Sequence, residues 1–526
     1  MSVIDVRNLK NLSEARIGAC LDIVPGSKFL VLQDTFMKLL DRVSKMSFLK
    51  KKFNECETIT FCWFANPRCF TSSLNFIEGE GVAGNLQVIE LRVGLIPLTV
   101  DFLSLELKSS FSSLYIHNNL HFLDAVVKSA EDIFSFYGNP NMIYSFGQNA
   151  KRVYEQLLFR QSANTADMGC DIDLLILFDR DFDMVTPLLS VLTLEGVLFE
   201  EFGFNMCSLT TEIGSNGSAK KVTLDISSDN QTFSELRDIH FGKISALLRS
   251  KLHDLDKVSK SWRKKNTIND IKNFVNTELK RYTQEQTILS NILLVCDEAT
   301  QVRSQQDFSY QLTFEHEVVN NGSLSRDNFE YMETCIHQDK PMHRVLANMA
   351  LASLACKGLS SSDYQQLKTQ FLQNYGFGHV SLFHNLRQCG LLSVSGDNSS
   401  WHRKVPFSAL GKKLAIFPKP PNLEESVEAL FNFNYIPVVY RLVETVVSDH
   451  QTKLDELKKI VNLPQLRSVP HSPSRKITNV VVYFIGGVSY SEIAALRILA
   501  NQLRINITVA TTHRINYSTI FDHIYN

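Results

Sequence analysis

The sequence predicts an α/β protein with two parallel-sheet units and a large all-helical insertion that splits one of them. Three observations carry this. At 526 residues the chain is too long for one hydrophobic core, and ordinary domain sizes point to about three domains. Two apolar runs, Leu174 to Phe178 and Asn479 to Ile485, have the length and bulk of strands buried on both faces, and each ends at a turn before a helical pattern. Between them, from about residue 237 to 385, the patterns are nearly all helical and strand signals vanish.

In chain order, Lys28 to Asp34, Thr58 to Phe64 and Leu86 to Val93 read as strands separated by helix or loop, which makes residues 1–117 a small parallel α/β domain. Leu95 to Glu106 is an extended segment that leaves this unit. Helices follow from about Asn118 to Phe136 and from about Asn149 to Arg160, and then the central strand from Leu174. It stops at Asp179-Arg-Asp-Phe-Asp183, after which Thr186 and Pro187 read as the N-cap and first position of a helix reaching Glu201. Residues 212–229 are polar, with Gly214-Ser-Asn-Gly-Ser as a surface loop.

Residues 237–426 form the insertion. Ile268, Ile271, Phe274, Val275 and Leu279, then Ile288, Leu289, Ile292, Leu293 and Val295, follow helical spacing, so 255–300 holds two long helical segments. The polar Arg281 to Gln286 between them reads either as a hairpin tip or as one continuous helix. Pro341 to Lys357 and Ser361 to Tyr375 are further helices, and 392–426 and 463–476 are loose, Pro- and Ser-rich stretches. Tyr435 to Glu444 leads into a helix. After the second buried strand come the Gly486-Gly487 turn, a capping box Ser489 to Glu492 opening a helix through Leu503, and a last strand, Ile505 to Ala510. Residues 118–236 and 427–526 thus read as one discontinuous α/β domain.

Composition excludes several classes. Lys plus Arg (54) balances Asp plus Glu (55), so no global field attracts nucleic acid or an anionic membrane. No apolar run spans a bilayer, and the termini carry no signal-peptide h-region or lipidation box. Ten scattered cysteines without a C-x-x-C pair fit a reducing cytosol.

Four features could carry chemistry. Asp179, Asp181 and Asp183 could hold a divalent cation for a metal- or nucleotide-dependent transferase, provided the segment stays extended and the carboxylates share a face. Arg180 opposes this, because a guanidinium inside the cluster can pair with the carboxylates, while Asp183 or Thr186 bonds helix N-terminal N–H groups. Gly486-Gly487 could present N–H groups to phosphate, but matches neither nucleotide-binding spacing and reads as a structural turn. Lys257, Lys260, Arg263, Lys264 and Lys265, beside Trp262, form a basic stretch that is either a solvated face or a dock for an acidic helix or lipid head groups. The long helical pair could receive a partner helix in its seam, although core packing must use most of its apolar positions. No nucleophile motif stands out.

The residues resemble those of the SM (Sec/Munc) family of SNARE regulators. Asp179, Arg180, Asp183, Thr186, Pro187 and Leu188 complete its D-R-x-x-D-x-x-T-P-L block, and Gly486, Gly487 and Glu492 lie in a segment similar to its G-G-x-[ST]-x-x-E block. Asp270 to Val275 resembles the start of its helical template. Tyr364 to Tyr375 and His384 to Leu392 resemble the vacuolar-protein-sorting (Vps thirty-three) branch, leaning toward its B paralogue. The resemblance implies a three-domain arch, no catalytic activity, no cofactor and no metal. It further implies that the protein binds SNARE proteins and templates their assembly for tethering and fusion in endosome and lysosome traffic. The implied setting is cytoplasmic, peripheral on late endosome and lysosome membranes, as a subunit of a class C Vps-type tethering complex. Lys264, Lys265, Asp270, Lys272, Asn273, Lys280, Arg281 and Gln284 would then lie on the SNARE surface. Helices from about 326 to 426 would dock a Vps-sixteen-like helical-repeat subunit. A scaffold that binds only that subunit is the blander alternative.

Overall fold

The computed structural model describes residues 4–22, 27–32, 59–65, 86–90, 94–161, 171–214, 220–263, 279–305, 307–396, 407–417, 427–431, 435–448 and 477–525. Strands β1 (Ser27–Leu32), β2 (Ile59–Ala65) and β3 (Leu86–Glu90) form a small parallel sheet in that order. The next segment leaves it and becomes the edge of a second sheet, as β4 (Ile96–Pro97) and β5 (Phe102–Ser104). That sheet is completed by β6 (Met142–Phe146), β7 (Leu174–Asp179), β10 (Asn479–Ile485) and β11 (Asn506–Thr511), in the order β4-β5-β11-β10-β7-β6. The two remaining strands, β8 (Ser208–Ile213) and β9 (Lys220–Asp225), form a separate antiparallel ribbon.

Pairing across the long insertion is direct. β10 runs parallel to β7 with Val480 beside Leu174 and Ile485 beside Asp179, and parallel to β11 on its other side. All six residues of β7 and the last six of β10 are buried, because helices cover both faces of a parallel sheet. β7 is an interior strand but not the middle one: β6, a strand absent from the sequence reading, lies outside it. Met142–Phe146 is short and alternates only partly in burial, which leaves a weak periodic signal.

One core cluster lies under helices Tyr490–Leu503, Val438–Val447 and Met342–Ala355, and a second under helices His121–Tyr137 and Gln148–Gln161. The predicted helix at Thr186-Pro187 is corrected by the structure. Those residues make only a 3-10 turn, Thr186–Leu188, and the helix starts at Leu194, capped by Thr193, whose Oγ1 accepts from Gly196 N at 3.3 Å. Pro187 fits a first turn, but Leu189 returns to extended backbone, so nothing propagates.

In the insertion, helix Phe241–Arg263 runs out and helix Leu279–Gln305 returns. The polar Arg281 to Gln286 belongs to the second helix and is not a hairpin tip, while the patterned positions Ile268 to Val275 before it lie outside the described residues. Phe308–Asn321, Arg326–His337, Met342–Ala355, Ser361–Tyr375 and Val380–Gln388 follow. Phe407–Leu414 adds a helix inside a stretch read as loose, and Tyr517–Tyr525 adds one after the last strand.

Candidate functional site

The turn after β7 holds the densest buried charge. Asp179, Arg180, Asp183, Thr186 and Glu492 are each at most 1 % exposed. Arg180 was expected to pair within its own turn, and the structure gives it a distant partner instead. Nη1 and Nη2 each donate to one oxygen of Glu492 at 2.8 Å, a bidentate fork. Nε donates to the carbonyl of Asp183 at 2.7 Å, and Nη1 also reaches the carbonyl of Gly487 at 3.3 Å. Phe178 and Phe484 flank the guanidinium. The Asp183 carboxylate lies 3.9 Å away at its nearest and instead accepts from Val185 N at 3.0 Å, Thr186 N at 3.1 Å and Thr186 Oγ1.

Asp179 serves a third set of elements. It accepts from Tyr115 Oη at 2.5 Å and from Asn149 N, at the start of helix Gln148–Gln161, at 2.7 Å. Burial, with the nearby Asp181 charge adding to it, pushes its carboxyl up to about 6, against the opposing pull of these donors. Asp181 is exposed, and Arg180–Phe182 is a 3-10 turn. The three carboxylates therefore do not share a face, and the cation reading loses its geometric premise.

Gly486 and Gly487 have φ of +92° and +114°. A Cβ on Gly486 would lie 2.3 Å from the Tyr115 hydroxyl, so close approach explains this glycine. Gly486 N donates to Thr512 Oγ1 at 3.0 Å. Ser489 and Glu492 complete a capping box at helix Tyr490–Leu503. The turn is thus packed against protein on each side, with no face presented to phosphate.

The helical pair has a different character. Near its base, Ile244 and Leu248 share a core with Leu289, Ile292, Val295 and Cys296, closed by Leu194, Leu198 and residues of the β8–β9 ribbon. Farther out the burial ends. From Arg249 to Lys257 and from Arg281 to Ile288 no residue is buried; Leu252, Leu255, Tyr282 and Ile288 are half-buried, and Arg281 and Gln284 are exposed. Lys257 makes an exposed ion pair with Asp254 at 3.2 Å. Lys264, Lys265, Asp270, Lys272 and Asn273, and the apolar positions Ile268 to Val275, lie outside the described residues, while Lys280 belongs to helix Leu279–Gln305. Of the predicted set, Arg281 and Gln284 are exposed on this helix.

Two features escaped the sequence reading. Arg303 and Arg344 meet Glu200, Glu201 and Glu315 in a buried cluster at the base of the helical pair. Arg303 follows the apolar register of its helix, and an arginine there is the signal that could have found it. The second is a group of exposed apolar side chains, Phe377 (70 % exposed) and Val380 (48 %) on either side of His379, whose ring lies 5.3 Å from that of exposed Tyr525 (55 %) in helix Tyr517–Tyr525. Among the described residues, no helix is long and apolar enough to cross a membrane.

Comparison with known proteins places this geometry. The Sec1 family model matches residues 60–523. Vacuolar protein sorting-associated protein 33B of Rattus norvegicus is 26% identical, over 98% of this chain and 97% of that protein. The human protein of the same name is also 26% identical with the same coverage, and a vacuolar protein-sorting-associated protein 33 homolog of Arabidopsis thaliana is 26% identical over 87% of this chain and 80% of its own. The Unc18-syntaxin 1 complex from Monosiga brevicollis superposes with a TM-score of 0.65 at 13% identity, over 98% of this chain and 99% of that one. The SM protein Vps45 in complex with the Qa SNARE Tlg2 gives 0.65 at 13% identity, over 100% and 98%. The α/β fold with its helical insertion is the fold of these structures.

Proposed function

The chain belongs to the Sec1 family, and from that premise we propose that it is a non-catalytic SNARE regulator of the Vps thirty-three type. It binds SNARE helices along the helical pair and aligns them for zippering, in vesicle traffic toward endosomes and lysosomes. The observation that carries this reading is the pair itself: two long helices, buried at the base and without a buried residue from Arg249 to Lys257 on one and from Arg281 to Ile288 on the other. A rigid pair that holds two disordered motifs side by side lowers the ordering cost of their association. Arg281 and Gln284 line that surface, with Lys264, Lys265, Asp270, Lys272, Asn273 and Lys280 assigned to it by family resemblance. Solved SM proteins bound to syntaxin 1 and to Tlg2 support the choice of partner.

The same reading divides the chain into domain 1 (1–117), a discontinuous domain 2 (118–236 and 427–526) and domain 3 (237–426). The pairing of β7 with β10 supports domain 2 as a unit. Domain 3 also docks a Vps-sixteen-like helical-repeat subunit of a class C tethering complex, with Phe377 and Val380 as anchors of that dock and Tyr525 of domain 2 beside it. Exposed aromatic and aliphatic side chains grouped in one patch are what such an interface needs at its centre. Attachment to late endosome and lysosome membranes then comes through partners.

Binding decides the matter. Purified protein, with and without the helical-repeat subunit, is titrated with fluorescent isolated SNARE motifs and with partly zippered bundles. Saturable binding of motifs, tighter for the partly zippered bundle, is the expected result. Binding to the subunit with no SNARE binding in either state would leave a scaffold.

A further inference from the structure

Beyond the apolar core that it shares with Leu194, Leu198 and the β8–β9 ribbon, helix Leu279–Gln305 is tied to the body at its last turn by one guanidinium. Arg303, in its last turn, donates from Nε to Glu201 Oε1 at 2.9 Å and from Nη1 to the carbonyl of Val191 at 2.9 Å, while Nη2 lies 3.3 Å from Glu200 Oε1. The Phe308 ring closes over it with its centroid 4.5 Å from Cζ. Glu200 is shared: Arg344, on helix Met342–Ala355, donates to the same oxygen at 2.7 Å. Arg344 also reaches Ser190 Oγ at 3.2 Å and stacks on Tyr517 at 3.8 Å. The long helix is therefore tied by its last turn to the segment after the 186–188 turn, to helix Leu194–Phe202 and, through Glu200, to two more helices.

The tie is strong in charge and incomplete in hydrogen bonding. Arg303, Glu200, Arg344 and Glu315 have side chains at most 9 % exposed, yet Glu200 Oε2 and Arg303 Nη2 are buried without a hydrogen-bond partner. Beyond Arg303 the chain turns within a few residues into helix Phe308–Asn321, with Asp307 at φ +51° and held by Lys340 at 3.0 Å. The leverage is large. From Arg303 to Leu279 is roughly 36 Å at the usual rise per residue, so a swing of about 10° at the base displaces the far end by roughly 6 Å, more than one helical turn.

We propose that Arg303 is a positioning residue: by bridging Glu201, Glu200 and the Val191 carbonyl, its guanidinium sets the direction in which the helical pair leaves the body. Its functional consequence rests on the reading of that pair as a SNARE template. Direction matters little for one bound helix and much for a second, because only a fixed platform holds two helices in mutual register. Arg303→Lys keeps the charge and loses the fork, and Arg303→Gln loses both.

The test measures direction first. Spin labels are attached through genetically encoded ketone residues at Thr287, on the pair, and Gln365, on helix Ser361–Tyr375, both exposed. Double electron–electron resonance should show a distance distribution about twice as wide in Arg303→Gln as in the parent, with Arg303→Lys between them, a loss of order comparable to that expected when a supporting contact is removed. Arg326→Gln, which breaks an exposed ion pair with Glu330, should leave the distribution unchanged. If Arg303→Gln does not fold, Arg303→Lys carries the test. A distribution equal to the parent's in a folded Arg303 variant overturns the proposal. The second arm uses synthetic SNARE motifs: binding of one should stay within about twofold, and addition of the second should weaken about tenfold. Failure of the parent to bind any motif would remove the SNARE reading, and the distance measurement would still decide whether Arg303 positions the pair.

Discussion

Arg180 and Glu492 are 312 residues apart and form a bidentate pair with both side chains fully buried. Each also satisfies its own turn. Arg180 holds the carbonyls of Asp183 and Gly487, and Glu492 accepts from Ser489 N at 2.9 Å. The ends of the two adjacent parallel strands are thereby locked, with the whole helical insertion looped out between them. A stretch of charges at the carboxyl end of a strand is where α/β proteins commonly build a ligand site. Here the same position is filled by protein groups that answer one another.

Removing one partner leaves the other buried and unpaired. Glu492→Gln and Arg180→Met should each lower stability by about 3–5 kcal/mol. The double variant should be less damaging than the sum, with a coupling of about 0.5–3 kcal/mol, because neither charge is then stranded. Urea titrations followed by near-ultraviolet circular dichroism measure all three. Strict additivity would show that the pair is not an energetic unit.

Two buried groups pull stability in opposite directions between pH 3.8 and about 6. Burial, assisted by His523, Arg514 and Lys108 and opposed by Glu106, lowers His513 from 6.5 to about 3. The folded state keeps it neutral, so its contribution is present above pH 6.5 and is lost as pH falls toward 3. Asp179 is raised from 3.8 to about 6. The folded state takes this proton first, so its contribution is present below pH 3.8 and is lost as pH rises through 6. Each group has a limiting slope of about 1.4 kcal/mol per pH unit. His513→Gln should therefore make stability fall less, or rise, on acidification, and Asp179→Asn should make it fall more steeply. Thermal midpoints across this range, compared as slopes, test both; parallel curves for parent and variants would contradict the assignment.

What the sequence disclosed and what it withheld follow from range. β7, β10 and the Ser489–Glu492 capping box are written in consecutive residues, and each was readable for that reason. The helix start at Thr186-Pro187 was misread because Asp183 takes the N–H groups of Val185 and Thr186, closing a local turn that competes with helix propagation. The partner of Arg180 depends on β10 lying next to β7, a tertiary fact. β8 and β9 were hidden by the polar loop between them, although Lys220–Asp225 does alternate once its register is known. At the helical pair, periodicity identified the helix carrying Ile288 to Val295, while the first patterned segment, Ile268 to Val275, lies outside the described residues, and the pattern alone could not separate core positions such as Leu289 and Ile292 from half-buried Leu252 and Leu255.

The apolar patch should answer to single substitutions. Phe377→Asp and Val380→Asp place a charge at the centre of the proposed dock, and both positions are too exposed to support the core. Each should weaken binding of the helical-repeat subunit by about 2–4 kcal/mol and leave the thermal midpoint nearly unchanged. Isothermal titration with the subunit gives the first quantity and calorimetric melting the second. Normal subunit affinity in both variants would move the dock elsewhere, while SNARE-motif binding should be indifferent to them, since the long helices share a different core.

The basic stretch of the helical pair gives a test in which salt separates charge from shape. Lys264 and Lys265 follow helix Phe241–Arg263 directly in sequence, and Arg281 is exposed on the returning helix. If an acidic partner helix lies there, charge attraction between solvated groups is worth only a fraction of a kcal/mol per pair, up to about 1 kcal/mol, and is screened beyond about 8 Å at physiological ionic strength. Reversing Lys264 and Lys265 to Glu replaces attraction with repulsion at two positions, so the combined loss should reach about 2 kcal/mol at low salt and shrink as salt rises. Arg281→Glu should add to it. The association rate should fall more than the dissociation rate rises, as steering predicts for exposed charges. Stopped-flow association at several ionic strengths measures this directly. A loss that persists undiminished at high salt would mean that these side chains act through contact geometry, and no loss at any salt would remove the basic stretch from the binding surface.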